Sequence, residues 1–322
     1  MARRTASALA ALSAVVTASV MMAAPANAGF VTYCEGEGGP VTLPTDLAVA
    51  PGKSCTLDRT VITGSVKVGE GANLIVKGGT INGTVDVAAN AYFDAKDTRV
   101  DGDVTLAPGA FGIYLTNTDT AKVTVQPKGS QTVEGFLFVE GTSKVDGNLS
   151  SGVGEVKVVN SEVLGNVTTN GSLYTDLTNA FVDGTVSVLN NSEGSVVCGG
   201  AVQGKATFAG NRGGVQLGPN GGLDSCASGG YFARDVNINN TTGKSSVDDT
   251  IINGKLELSA NNPITQLATN NRIRGGVVGE STSPAAARAL AAPDRQSASE
   301  QKAADRLAAA TNAAAAKGKA RL

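Results

Sequence analysis

The sequence contains no histidine and no tryptophan, and aromatic residues make up 4% of its 322 positions. Without histidine, no side chain has an ordinary pKa that suits a general base near neutrality. There is no P-loop, and no C-x-x-C pair of the kind that begins a zinc site. Neither sign of charge dominates: 26 Lys+Arg stand against 28 Asp+Glu, which does not point to a nucleic-acid partner. Helical periodicity is missing as well. Between Thr45 and Gly279 no stretch keeps an apolar period of 3.6 residues, so a helical body is excluded.

What replaces it is a phrase repeated at a fixed step. Ile81-Asn82-Gly83-Thr84-Val85-Asp86-Val87 alternates apolar and polar residues around a glycine, the pattern of a strand with one face buried. It stands nineteen residues earlier as Ile62-Thr63-Gly64-Ser65-Val66-Lys67-Val68, and nineteen later as Val100-Asp101-Gly102-Asp103-Val104-Thr105-Leu106. The column two before the centre reads Leu43, Ile62, Ile81, Val100, Asp119. The column two after reads Leu47, Val66, Val85, Val104, Val123. Turn residues keep the same step at Pro51-Gly52, Glu70-Gly71, Ala89-Asn90 and Pro108-Gly109. The phrase continues through Gly135, Gly147, Gly165, Gly184 and Gly204 to Gly254 and Gly275, with one long step of 30 residues after Gly204.

Nineteen residues are too few for a strand plus a long helix at about 3.3 Å per strand residue. Two or three short strands separated by turns fit. The fold class expected is therefore all-β: a single parallel β-helix (β-solenoid) with coils of about 19 residues, stacked through a lumen of Val and Ile. About twelve coils at roughly 4.8 Å each would make a rod on the order of 60 Å long. The repeats Val100–Leu106 and their copies resemble those of bactofilins, the polymer-forming β-helical proteins of bacteria, and the valine-glycine repeats of secreted actinobacterial β-helix proteins. The resemblance covers about residues 43 to 279. It implies a small, right-handed, triangular coil and a bacterial setting. An export signal and cysteines depart from the bactofilin pattern.

Residues 1–28 read as a signal peptide, with Arg3-Arg4, an apolar run from Ala8 to Met22, and Ala26-Asn27-Ala28 as an A-x-A cleavage site. A membrane anchor is the other reading, but the run is shorter than the roughly twenty residues that span a bilayer. The expected localisation is secreted or extracellular, with association to the cell surface or envelope. Residues 29–44 read as an N-terminal cap, 45–280 as the parallel β-helix, and 281–322 as a flexible Ala-rich, low-complexity tail. Ser297-Ala298-Ser299-Glu300 is a capping box and Gly318 a stop, which predicts a helix from about 298 to 317. Leu307 is its single leucine, so it has little apolar face to bury. Deleting residues 285–322 is expected to leave the body folded.

Four cysteines, Cys34, Cys55, Cys198 and Cys226, behind an export signal read as disulfides. Pairing of nearest neighbours gives Cys34–Cys55 and Cys198–Cys226. The second pair brackets the long step, including Gly210–Gly214 and Pro219–Gly222, and would staple an extruded loop to the rod.

Parallel β-helices also host enzymes that cleave acidic polysaccharides. Asn117-Thr118-Asp119, Asp248-Asp249 and Arg272-Ile273-Arg274 look like three of the four short motifs of polygalacturonases, but the fourth contains a histidine. Asp119 and Asp249 also fall several coils apart, whereas an inverting pair needs a separation of about 6.5–9.5 Å. Asp101, Asp103 and Asn82 share a face that could hold calcium, although a solvated polar face is the simpler reading. Thr105, Thr124, Thr168, Ser187 and Thr207 form a broken hydroxyl ladder that β-propensity explains.

The sequence thus supports a secreted, non-catalytic structural or surface-binding protein, with no catalytic, metal or cofactor residues assigned. A pectate-lyase-like or glycosidase β-helix enzyme is the alternative. The partners expected are cell-wall or extracellular polysaccharide, or a second copy met through the solenoid ends. Neither nucleic acid nor, beyond the leader, a membrane span is expected.

Overall fold

The computed structural model describes residues 30–130, 133–283, 295 and 297–322. The leader assigned to 1–28 therefore lies outside the described residues. The body is a parallel β-solenoid of three sheets with 13, 13 and 12 strands, here called A, B and C. Each coil contributes one strand to A, then B, then C. In coil 4 these are Val85–Val87, Tyr92–Lys96 and Arg99–Val100. The first coil consists of Val31–Tyr33, Gly36–Gly38 and Thr42–Leu43. Residues 30–44, within the segment expected as an irregular cap, thus form mainly a true coil, paired in register with the next. The last strands of A and B are Val277–Val278 and Ser281–Thr282, so the solenoid extends just past 280.

The repeat columns become the lumen. Val85 pairs with Val66 on one side and Val104 on the other, and all three are fully buried. The glycine column has a separate cause. At the corner between C and A the backbone of one coil lies directly on the next, and Gly83 N–H donates to the Gly64 carbonyl at 3.1 Å. A Cβ at Gly102 would collide with the Gly83 carbonyl. At the B–C corner, Asp97, Asn117, Asn160 and Asn179 take positive φ near 50°. Short polar side chains tolerate this conformation. They also bond along the axis, as Asn179 Nδ2 does to Asn160 Oδ1 at 3.1 Å.

Coil 5 corrects the expected register. Val100 pairs with Thr120, not Asp119, and Val104 pairs with Val123. One residue is missing from this corner, so Thr120 takes the buried place and Asp119 faces outward beside Arg99. An extra residue enters the same coil earlier, because Tyr92 pairs with Gly112 while Val87 pairs with Leu106. Phe111 and Gly112 both donate to the Ala91 carbonyl, at 2.9 and 3.4 Å, and the bulge turns Phe111 onto the outer face of sheet B.

The tail contains the expected helix, Ala298–Lys317, with Ser297 as N-cap and Gly318 at its end. The helix is not free in solution. It lies along the outer face of sheet B, running back from coil 7 to coil 1. Its 20 residues span about 30 Å at 1.5 Å each, and six coil steps span about 29 Å. Ala303, Ala310 and Ala314 are buried, with Leu307 partly buried between them. Alanine has too little bulk to fill a groove, and the sheet supplies the volume instead. Tyr92, Phe136 and Phe138 project outward from B and are almost wholly buried under the helix, joined by Ile75. Phe136 and Phe138 stack at 4.6 Å, and Phe111 meets Tyr92 and Phe136 edge-on at 5.6 Å each.

Candidate functional site

Charged side chains fasten the helix to the sheet. The Glu155 carboxylate accepts from the Ser297 hydroxyl, from the Ser299 N–H at 3.2 Å and from the Tyr174 hydroxyl at 2.7 Å. An acceptor at this end of a helix satisfies open N–H groups and faces the positive end of the dipole. Lys157 Nζ pairs with Glu300 at 2.5 Å. Further along, Arg306 donates to Asn73 Oδ1 at 2.5 Å and lies over the Phe111 ring, 4.9 Å from its centroid. Burial lowers the Arg306 pKa below its ordinary value.

Just before the helix, Arg295 is half of a buried pair. Its guanidinium stands 3.3 Å from Asp176 Oδ2 and 4.4 Å from the centre of the Tyr174 ring. That separation exceeds the 2.7–2.9 Å of a strong charge-assisted bond, so the pair does not fully offset the loss of water. Burial pushes the Asp176 carboxyl up to about 7, Arg295 pulls it down, and Asp224 raises it. Asp94, also buried, is raised by burial and held back by the hydrogen bond from the Tyr92 hydroxyl. Glu134, Glu155, Tyr174, Glu193, Arg295 and Lys302 surround a cavity of about 410 Å³ at this junction.

Both disulfides form as paired in the sequence: Cys34–Cys55 and Cys198–Cys226, with Cα separations of 5.6 and 5.5 Å. The first ties coil 1 to coil 2 across sheets A and B. The second ties the end of strand Ser195–Cys198 in coil 9 to a loop in coil 10. That loop is 218–230, between Val215–Leu217 and Tyr231–Phe232. Gly210–Gly214 is an ordinary corner and not part of it. Gln216 holds the loop from within, accepting from Leu223 N–H at 2.9 Å and donating to the Asp224 carbonyl at 2.8 Å. Asp224 in turn accepts the Arg295 N–H at 2.5 Å, so stapled loop and helix entry meet at one point.

The other sequence candidates are dispersed. Asp119 begins the C strand of coil 5 and Asp249 precedes that of coil 11. Six coil steps, about 29 Å, separate them, and they form no acid–base pair. Asn117 is a corner residue bonded to Asp97. Arg272 and Arg274 lie near the C-terminal end. Asp101 is paired with Arg99 at 2.6 Å and Asp103 with Lys122 at 2.8 Å, and Asn82 is exposed nearby. Among the described residues no group of three or more His, Cys, Asp or Glu is placed to hold a metal. Thr105 and Thr124 stack outward on sheet A, Ser150 separates them from Thr168, and Ser187 and Thr207 follow.

The two ends differ from the flanks. Phe30, Val31, Tyr33 and Val41 are 86%, 45%, 67% and 39% exposed at the N-terminal end. Ile264, Val277 and Val278 are 43%, 39% and 52% exposed at the other. The expectation of an N-terminal cap did not include this apolar surface; Val31 and Tyr33 stand opposite Asp46 and Ala48, and Thr32 opposite the buried Leu47. No helix among the described residues is long and apolar enough to cross a membrane, and two disulfides fit an extracellular protein. No protein family, no curated protein and no solved structure matches this chain.

Proposed function

We propose that the protein is a secreted, non-catalytic structural rod of the bacterial envelope or exterior, which meets its partners through its ends. The observation that carries this reading is the pair of end strands in sheet A. Among the described residues, Val31–Tyr33 and Val277–Val278 each have one neighbouring strand, which leaves a row of backbone groups unpaired there, and both carry exposed apolar side chains. Natural sheets usually blunt such edges with charge, proline or a covering element. Leaving them open suits addition of a second copy, since another parallel coil would satisfy both the ladder and the lumen. The disulfide across coils 1 and 2 supports the role by holding the N-terminal face together.

Electron microscopy of the purified, disulfide-intact protein tests the proposal. Rods joined end to end, lengthening with concentration, are the expected result. Single particles at every concentration, or cleavage of an acidic polysaccharide to unsaturated products, would overturn it.

A further inference from the structure

One strand position at the N-terminal face is already taken. Residues 318–322 run along the outer side of Gly36–Gly38, the first strand of sheet B. Glu37 N–H donates to the Gly318 carbonyl at 2.9 Å, and Ala320 N–H donates to the Glu37 carbonyl at 2.8 Å. Lys319 bridges Glu37 in the parallel sense, and Ala320 and Leu322 pack against the lumen residues. This is the geometry of one more coil, with a parallel strand and alternate side chains turned inward.

Coil 1 is shaped for this occupant. A Cβ at Gly36 would fall on the Gly318 carbonyl oxygen, and one at Gly38 on the Leu322 side chain and on Leu57. Gly39, one residue further, has nothing within 4 Å. The segment is held by the helix before it, and Lys317 Nζ reaches Glu35 at 3.1 Å. Lys53 approaches the same Glu35 oxygen at 3.2 Å, and the two ammonium groups hold the Glu35 carboxyl below its usual range.

We propose that residues 318–322 are a removable cap that decides whether the N-terminal face accepts the C-terminal coil of a second copy. The inference rests on the end-to-end reading above and adds its control. In a head-to-tail join, Ser281–Thr282 of the incoming copy would lie on Gly36–Gly38, and Val277–Val278 on Val31–Tyr33. Every strand pair in the body is parallel, so this join continues the ladders of sheets A and B without reversal; sheet C, with 12 strands among the described residues, ends one coil earlier and is not continued. The strand position needed in sheet B is the one that 318–322 fills. Among the described residues no segment adds to sheets A and C at the same face, which is why the cap acts as a partial block.

Sedimentation velocity across a concentration series decides the matter, using the full disulfide-intact chain, a deletion of 318–322, and Gly38→Val in the full chain. The valine pushes the cap away without removing it. Both variants should reach at least twice the mass of the full chain at a concentration where the full chain sediments as one copy. Adding Val277→Lys, which places an ammonium at the open mouth of the other end, should abolish the gain. If Gly38→Val melts early, the deletion alone carries the decision. If the full chain already associates, Val277→Lys stops it, and the deletion changes nothing, the capping role fails while the end-to-end reading stands. If no protein associates, or if the gain survives Val277→Lys, both fail.

Discussion

The Arg295 guanidinium sits 3.3 Å from Asp176 Oδ2 and does not keep that carboxyl in its ordinary range. Burial raises it from 3.8 to about 7. Between these values the folded protein holds a proton that the unfolded chain has released, so stability falls as pH rises through the window and levels off above it. The melting temperature of the parent should drop between pH 5 and pH 8. Asp176→Asn should drop less. Asp94, shifted in the same direction, remains in both proteins, so the difference isolates Asp176. Parallel profiles would contradict the assignment.

Val85 is fully buried between Val66 and Val104. Val85→Asp would place an unpaired polar group in an apolar stack, at a cost of several kcal/mol. Circular dichroism should show a large loss of thermal stability. An unchanged melt would mean the lumen register is wrong.

Ala310 is 1% exposed against the aromatic face of sheet B. Ala310→Arg adds bulk where there is no room, and overpacking alone costs about 1–3 kcal/mol. The solenoid should still form while the helix lifts. Limited proteolysis should then cut within 298–317 faster than in the parent, and a dye that reports exposed apolar surface should brighten. Deleting 285–322 should brighten the same dye, with Tyr92, Phe136 and Phe138 uncovered, rather than being silent.

Peptide mapping without reduction should recover Cys34 linked to Cys55 and Cys198 linked to Cys226. A closed loop of this size contributes on the order of 3 kcal/mol in the chain-entropy account. Cys198→Ser should increase protease access to 218–230. Exchanged pairings, or free thiols in the purified protein, would remove the basis for the proposed extracellular assignment.

The solenoid was legible because stacking turns each lumen position into a column, and Val66, Val85 and Val104 recur at one step. Capping chemistry is local, so the helix ends at Ser297 and Gly318 could also be read. Docking could not be read from the helix, because its buried stripe is alanine and its counterpart is elsewhere in the chain. The clue lay in sheet B: Tyr92, Phe136 and Phe138 project outward where a solvated strand would carry polar side chains. Asp119 was misplaced for a different reason. An extra residue near Gly112 and a missing one at the following corner cancel, so the strand between them shifts inside to outside while the strands that follow keep their spacing.

The docked helix also constrains how this rod can change length. It is fastened at Glu155 in coil 7 and delivers Gly318 to Glu37 in coil 1. Inserting one coil between those points would lengthen the path by about 4.8 Å, and the helix would need roughly three more residues to follow. Coils 8 to 10 are tied to the helix entry as well, through the contacts of Arg295 with Asp176 and Asp224. Insertion or loss of whole coils should be tolerated in coils 11 to 13, whereas the first ten coils and the helix form a gauge that can change only as a unit.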